Sequence, residues 1–313
     1  MKKKRIRIGT RSSELALWQA DFVAEKLRAR YPDLVVEEVR IKTKGDKILD
    51  APLAKIGGKG LFTKELEQAM LDGAIDLAVH SLKDVPTTLP DGLMLGAITK
   101  RSYPGDVLVS ERYASFMELP QGAKVGTSSL RRKAQLLHER PDLQIVSLRG
   151  NVNSRLRKMR EEDFDAIVLA EAGMQRLGKG AAITEHLPMR WILPAVGQGA
   201  LAVETRAQDE DMLSLLAFLN DADMAAAARA ERAFLARVEG GCQVPVGVYG
   251  TAEGDTLRVE AVIASLDGAQ LYRDAVEGPR KDAAKLGTAL ADQLLDAGGI
   301  AILHELGLLL DRK

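Results

Sequence analysis

What most limits the folds open to this chain is a rhythm. Strand-like runs alternate with helix-like runs, and the series begins twice through one short grammar. RIRIGT (5–10) alternates as a strand does, and SELALWQADFVAEKLRARY (13–31) carries apolar residues at helical spacing. LVVEEVRIKT (34–43) is strand-like, LFTKELEQAMLDG (61–73) is a helix closed by Gly73, and IDLAVH (75–80) and LMLGAIT (93–99) are strand-like. YPGD (103–106) signals a turn, after which VLVS, AKVGT, LQIVSL and AIVLA predict strands, and SLRRKAQLLHER and VNSRLRKMREE predict helices. This order implies mostly parallel, doubly wound sheets. IGTRSSELALWQA and VGTSSLRRKAQLL both run strand, Gly-Thr, serine pair, helix, a short echo of the kind duplication leaves.

The remainder has a different texture. PAVGQGALAVET (194–205) is glycine-rich and suits a hinge between lobes; alanine-rich helical sequence follows from Asp209 to Val238. VGVYGTA, LRVEAVIAS and QLYRDAV then predict strands, with a helix from Lys281 to Leu295, which together make a small α+β domain. A chain of 313 residues exceeds one simple core, so two or three domains are expected. The basic start MKKKRIRIG has no apolar stretch behind it and does not read as a secretory signal, and no run approaches bilayer-spanning length. The expectation is a cytoplasmic enzyme or binding protein.

Charge is where the sequence turns toward function. The formal net charge is zero, yet residues 123–160 hold ten Lys/Arg against Glu139 and Asp142, a local +8. Such a block suggests an anionic ligand, or else a solvated helix face. Ligands of open α/β sheets bind beyond the carboxyl ends of the strands. Four such ends are rich in polar residues here: GTRSS (9–13), HSLKDVP (80–86), GTSSLRR (126–132) and LRGNVNSR (148–155). Their serines suit helix caps, whose N–H groups also attract carboxylate or phosphate. Arg131 and Arg132 fall in the first turn of a predicted helix, where a cation opposes the dipole at a cost of about 0.3–1 kcal/mol. A bound anion removes that conflict. With Arg11, Arg149 and Arg155 at the other ends, the set fits a ligand bearing several carboxylates, since guanidinium forks match them two-pronged. Asp84, beside Lys83 at a strand end, should stay ionised near these cations. That suits it to hold an N–H group or a developing cation; a turn aspartate is the plainer alternative.

Several resemblances to known motifs fail. KIGGKG (55–60) lacks the order of a phosphate loop, and GQGALA (197–202) is followed by a strand, not the helix of a dinucleotide fingerprint. His80, His138, His186 and His304 show no metal spacing. Low aromatic content (4%) and zero net charge argue against nucleic-acid binding. The single cysteine, Cys242, stands after Gly240 and Gly241 and before Pro245, a thiol on a constrained turn with steric room; an inert small apolar residue is the alternative. A thiol facing cations ionises more easily.

Taken together, GTRSSELALWQA, HSLKDVPT, GTSSLRRKAQL, LRGNVNSRL, AVGQGAL and EGGCQVPVG, in this order from about residue 5 to 250, closely resemble the porphobilinogen deaminase (hydroxymethylbilane synthase) family. The resemblance implies a cytoplasmic, monomeric transferase of haem biosynthesis. It would condense four porphobilinogen molecules head to tail, release ammonia each time, and free hydroxymethylbilane hydrolytically. It implies a dipyrromethane cofactor in thioether linkage to Cys242, with Asp84 as catalytic carboxylate. Lys83, Thr127, Ser128, Ser129, Arg131, Arg132, Arg149 and Arg155 match cofactor-binding positions; Arg11, Ser13, Arg149, Arg155 and Arg176 match substrate-binding ones. Lys55 and Lys59 fall in what looks like the family's mobile loop. The implied fold has two similar doubly wound α/β domains of the type II periplasmic-binding-protein kind (1–100 with 198–218, and 101–197). A small α+β domain (219–313) carries the cysteine. No metal, membrane or nucleic-acid partner is implied. Glu14 departs from a proline common in the first motif, at a helix start where an acid is favourable.

Overall fold

The structure is a computed structural model, and it describes residues 3–47, 60, 62–238 and 244–307. It divides into two compact units, Met1–Ser102 with Ala200–Ala225, and Tyr103–Gly199 with Ala226–Lys313.

In the first unit β1 (Arg5–Thr10) leads into α1 (Glu14–Arg30), then β2 (Val35–Arg40), α2 (Lys64–Leu71), β3 (Leu77–Ser81) and β4 (Leu93–Ile98). The second unit opens with β5 (Asp106–Val109), β6 (Lys124–Gly126), α3 (Leu130–Glu139), β7 (Gln144–Val146), α4 (Val152–Glu161), β8 (Ala166–Ala170), α5 (Glu171–Arg176) and β9 (Glu185–His186). The chain then returns to the first unit as β10 (Leu201–Arg206) and α6 (Glu210–Leu216). After α7 (Ala222–Arg237), it closes with β11 (Val246–Glu253), β12 (Thr256–Ala264), β13 (Leu271–Pro279), α8 (Ala283–Leu294) and α9 (Ile300–Glu305).

The two five-stranded sheets repeat one order, β2-β1-β3-β10-β4 and β7-β6-β8-β5-β9. In each, the second strand of the order (β1, β6) pairs in parallel with both its neighbours, and among the described strands the one in fourth position (β10, β5) is the one that is reversed. This is the type II periplasmic-binding-protein arrangement. Both faces are covered, as continuous apolar strands require. On the first sheet, Ile6, Ile8, Leu77, Val79 and Val203 meet α1 and α6, while Ala78 and Leu93 lie with Leu66 and Met70 of α2 on the other side. Leu27 of α1 is fully buried, worth about 1.5–3 kcal/mol. On the second sheet the period-two alternation is clean. Leu108, Val125, Ala166 and Val168 join one core, and Val107, Val109, Ile167 and Leu169 the other.

The third sheet is the antiparallel meander β11-β12-β13. The helix expected from Lys281 to Leu295 is present as α8; it ends in a kink (Leu295–Gly299) where Gly298 takes φ 131°, outside helical geometry, and α9 follows as a second helix. One expectation is corrected: by length and composition Arg280–Glu305 is long and apolar enough to span a bilayer, where the sequence leads one to expect no such run. Its buried residues, among them Leu290, Leu294, Leu295, Ile302 and Leu303, give it a core face, and α8 packs on β12 and β13.

Candidate functional site

The paired grammar of the sequence becomes paired geometry. β1 and β6 hold the same second place in their sheets, flanked by parallel strands on both sides, and each runs through Gly-Thr into a helix a few residues on. A Cβ on Gly9 would lie 2.2 Å from Ile75 Cδ1, and one on Gly126 2.9 Å from Ile167 Cγ2 and Leu148 Cδ2, so the close layer contact explains both glycines. Ser13 Oγ accepts from the Ala16 N–H and Ser129 Oγ from the Arg132 N–H, both at 3.4 Å, capping α1 and α3.

In the first unit, Arg11 follows β1 and lays its guanidinium 4.1 Å from the centre of the Phe62 ring. Lys83 and Asp84 occupy a single 3₁₀ turn (Leu82–Asp84) directly after β3. Because β1 and β3 are parallel neighbours, Arg11, Ser13, Lys83 and Asp84 share the carboxyl edge of this sheet. Asp84 is exposed and Lys83 half-buried. The turn is held from both sides: Gln19 Nε2 of α1 donates to Ser81 Oγ at 2.7 Å, and the Leu82 N–H donates to Ala200 O at 3.0 Å. Beneath it lies a buried ionisable cluster that no sequence pattern marks. His80 Nε2 is 3.0 Å from Glu204 Oε2, and Glu67 of α2 has its carboxyl raised by burial and by the charge of Glu204, against the opposing Thr63 hydrogen bond and His80.

In the second unit, Thr127, Ser128, Ser129, Arg131 and Arg132 follow β6, Arg149 and Arg155 bracket the start of α4 after β7, and Arg176 ends α5 after β8. These three parallel strands again place every one of them at the carboxyl edge. Thr127 Oγ1 accepts from the Ser129 N–H (3.2 Å), and Ser128 Oγ donates to Leu148 O (2.5 Å), so the loop is fixed from within. Both Arg131 and Arg132 are buried, and both bind one carboxylate: Arg131 Nη1 lies 2.8 Å from Asp106 Oδ2, and Arg132 Nη2 lies 2.7 Å from Asp106 Oδ1. Burial alone would raise the fully enclosed Asp106 carboxyl, but the two guanidiniums outweigh it and hold it well below the usual carboxylate range. Burial acts first on Arg131 too, lowering it against the pull of Asp106.

The sequence places Asp106 at the end of a turn. In the fold it is the internal anion that relieves the conflict between two first-turn cations and their helix dipole. Only the fold reveals this, because 25 residues separate Asp106 from Arg131. One carboxylate against two guanidiniums leaves a positive balance. Arg131 Nε, Arg132 Nε and Arg149 Nη1 are buried donors that meet no acceptor among the described residues. A ligand with several carboxylates fits such a set of unmet donors. Burial pulls Arg176 down to about 10, still cationic at neutral pH, and its Nη2 donates to Gly199 O at 2.7 Å. Elsewhere the basic block is largely answered at the surface, Arg160 by Glu111, Arg140 by Asp142 and Arg157 by Glu161. Cys242, Lys55 and Lys59 lie outside the described residues.

Comparison with known proteins agrees with this chemistry. Residues 6–214 match the family described as porphobilinogen deaminase, dipyromethane cofactor binding domain, and residues 225–296 match porphobilinogen deaminase, C-terminal domain. The porphobilinogen deaminase of Trichlorobacter lovleyi is 58% identical over 305 residues, covering 97% of both chains. That of Geobacter sulfurreducens is 54% identical over 97% of this chain and 96% of its own. Among solved structures, the methionine-binding protein MetQ aligns with TM-score 0.45 and 14% identity over 69% of this chain and 89% of its own. A carboxylate-hungry edge on two matched sheets, and relatives that agree along nearly the whole length, lead to one conclusion: this chain belongs to the porphobilinogen deaminase family.

Proposed function

We propose that this enzyme builds a linear tetrapyrrole from four porphobilinogen molecules with Asp84 as its catalytic carboxylate and Cys242 as the thioether anchor of its cofactor. Porphobilinogen is the substrate and dipyrromethane the cofactor of the family to which the chain belongs. When bound, the dipyrromethane supplies a nucleophilic pyrrole carbon to which the next unit is joined. The chain's residues do the rest. Arg131, Arg132, Arg149 and Arg155, with Thr127, Ser128, Ser129 and Lys83, hold the acidic side chains of the cofactor; Arg11, Ser13, Arg149, Arg155 and Arg176 hold those of incoming substrate. Asp84, exposed on a turn braced from two sides, takes pyrrole N–H groups and stabilises positive charge that develops as ammonia leaves. Tethering and orientation replace bimolecular encounter.

The observation that carries this reading is the excess of buried guanidinium over carboxylate at the second sheet's edge. The division into 1–100 with 198–218, 101–197 and 219–313 belongs to the same proposal, supported by one sheet falling within each span. So do a monomeric state, a cytoplasmic location and the absence of membrane or nucleic-acid partners. The surface pairing of the basic block supports the last of these.

Two measurements test the reading. Intact-protein mass should exceed the polypeptide by two pyrrole units, and Cys242→Ser should remove that excess while the protein stays folded. Purified protein should consume porphobilinogen. An unmodified mass together with no consumption rules the reading out.

A further inference from the structure

The glycine-rich segment before β10 is a junction where the arginines of the second sheet and the C-terminal meander meet. Leu193 O accepts from Arg131 Nη1 at 2.6 Å and from Gln135 Nε2 at 3.2 Å, while the Leu193 N–H donates to Gln135 Oε1 at 2.8 Å. Gln198, itself buried, donates through Nε2 to Asp106 Oδ1 at 2.9 Å and to Pro104 O at 2.6 Å, bracing the carboxylate that holds Arg131 and Arg132. Gly199 O takes Arg176. Three of the proposed ligand-binding arginines are therefore set by residues 193–199.

The same segment is gripped from the other side. Pro194 O accepts from the Val248 N–H of β11 at 3.0 Å. Glu231 of α7, with no exposed surface, accepts the Gly197 N–H on Oε2 at 2.6 Å and the Gly250 N–H of β11 on Oε1 at 2.9 Å. Gly197 sits at φ 71°, where other residues are strained, and a Cβ on Gly250 would approach the Ala227 backbone to 3.2 Å, so both partners are shaped to the contact. In sequence, Cys242 lies between α7 and β11. Glu231 thus ties together the element before the cysteine, the element after it, and the segment that sets the arginines.

We propose that Glu231 is a positioning residue that fixes the cofactor-bearing C-terminal region in register with Arg131, Arg132 and Arg176 by clamping Gly197 and Gly250. A carboxylate gripping two backbone donors is stronger than neutral pairings and has no slack for drift. This inference rests on the reading that these arginines hold ligand acids. Wild-type protein lacking the two-pyrrole mass excess would sink that reading, whatever Glu231 does.

With the excess present in wild type, Glu231→Gln keeps the shape but turns one acceptor into a donor facing a backbone N–H. Cofactor-free Glu231→Gln, given porphobilinogen and followed by intact mass, should gain the two-pyrrole increment at least about tenfold more slowly than wild type. Once loaded, it should show a KM raised about tenfold with kcat within about threefold, a split that simple loss of folded protein does not produce. Increment at the wild-type rate with unchanged KM overturns the proposal. A parallel measurement on wild type needs no variant and decides alone should Glu231→Gln prove insoluble. Amide hydrogen exchange at residues 193–199 and 246–250 should slow together when the cofactor is acquired, and unchanged exchange in either stretch overturns the clamp.

Discussion

The carboxyl edges of the two matched sheets are built alike and charged differently. Each includes a strand with parallel neighbours on both sides, a crowded glycine, a buried threonine and a serine-capped helix. The first edge leaves its acid, Asp84, in the open on a 3₁₀ turn. The second encloses its acid, Asp106, completely and commits it to holding two arginines. One scaffold thus yields an open carboxylate, as the role proposed for Asp84 requires, and an enclosed one that keeps cations in place. Exposure, not residue type, separates the two roles.

The largest effect expected from this contrast is on stability. Asp106→Asn strips the shared partner from two buried guanidiniums, and chemical denaturation should show a loss of about 3–5 kcal/mol. The pH dependence has a definite sign. The Asp106 carboxyl is lowered on folding, so its contribution is fully present above its ordinary value of 3.8 and is lost as pH falls through the lowered folded value. Wild type should therefore weaken on acidification in a way that Asp106→Asn does not.

Asp84→Ala should do the opposite: kcat falls about 10²–10³-fold while stability moves by no more than about 0.5 kcal/mol, because the side chain is exposed. Near-normal turnover would erase the distinction between the two edges. A smaller change is expected beneath the first edge. The Glu67 carboxyl is raised on folding, so its favourable contribution exists below its ordinary value of 4.5 and is lost as pH rises through the raised value. Glu67→Gln should be the more stable protein at pH 7, with the advantage vanishing toward pH 4 in thermal melts. Least of all, Ser13→Ala and Ser129→Ala should each cost about 1 kcal/mol. Their capping distances are equal, so clearly unequal losses would show that the likeness of the two strand-to-helix turns is only one of sequence.

Much of this was legible in the sequence because it is local. RIRIGT and AIVLA are strands with the boundaries their patterns give, and the serine pairs do cap helices. The carboxyl-edge residues were legible too, since a strand followed by a polar loop and a helix has one reading in an open α/β sheet. What stayed hidden was pairing at a distance. In sequence Asp106 looks like the end of a turn, and nothing near Glu231 or Gln198 names the backbone groups they hold. The two-residue strand β9 is too short to leave a pattern. The end of the helix near Leu295 was legible for the opposite reason: it is local, set beside a glycine, Gly298, that takes φ 131° and breaks the helical backbone.

The reversed strand in fourth position has a consequence for how the protein is made. β10 fills the gap between β3 and β4, yet about a hundred residues of chain separate it from β4. During synthesis at about 5–20 residues per second, the first sheet waits some 5–20 s with the facing flanks of β3 and β4 unpaired. The second sheet meets no such delay, because its reversed strand, β5, is the first of its strands to be synthesised. The nascent first half is thus the window in which this protein is most exposed to edge-to-edge pairing with other chains.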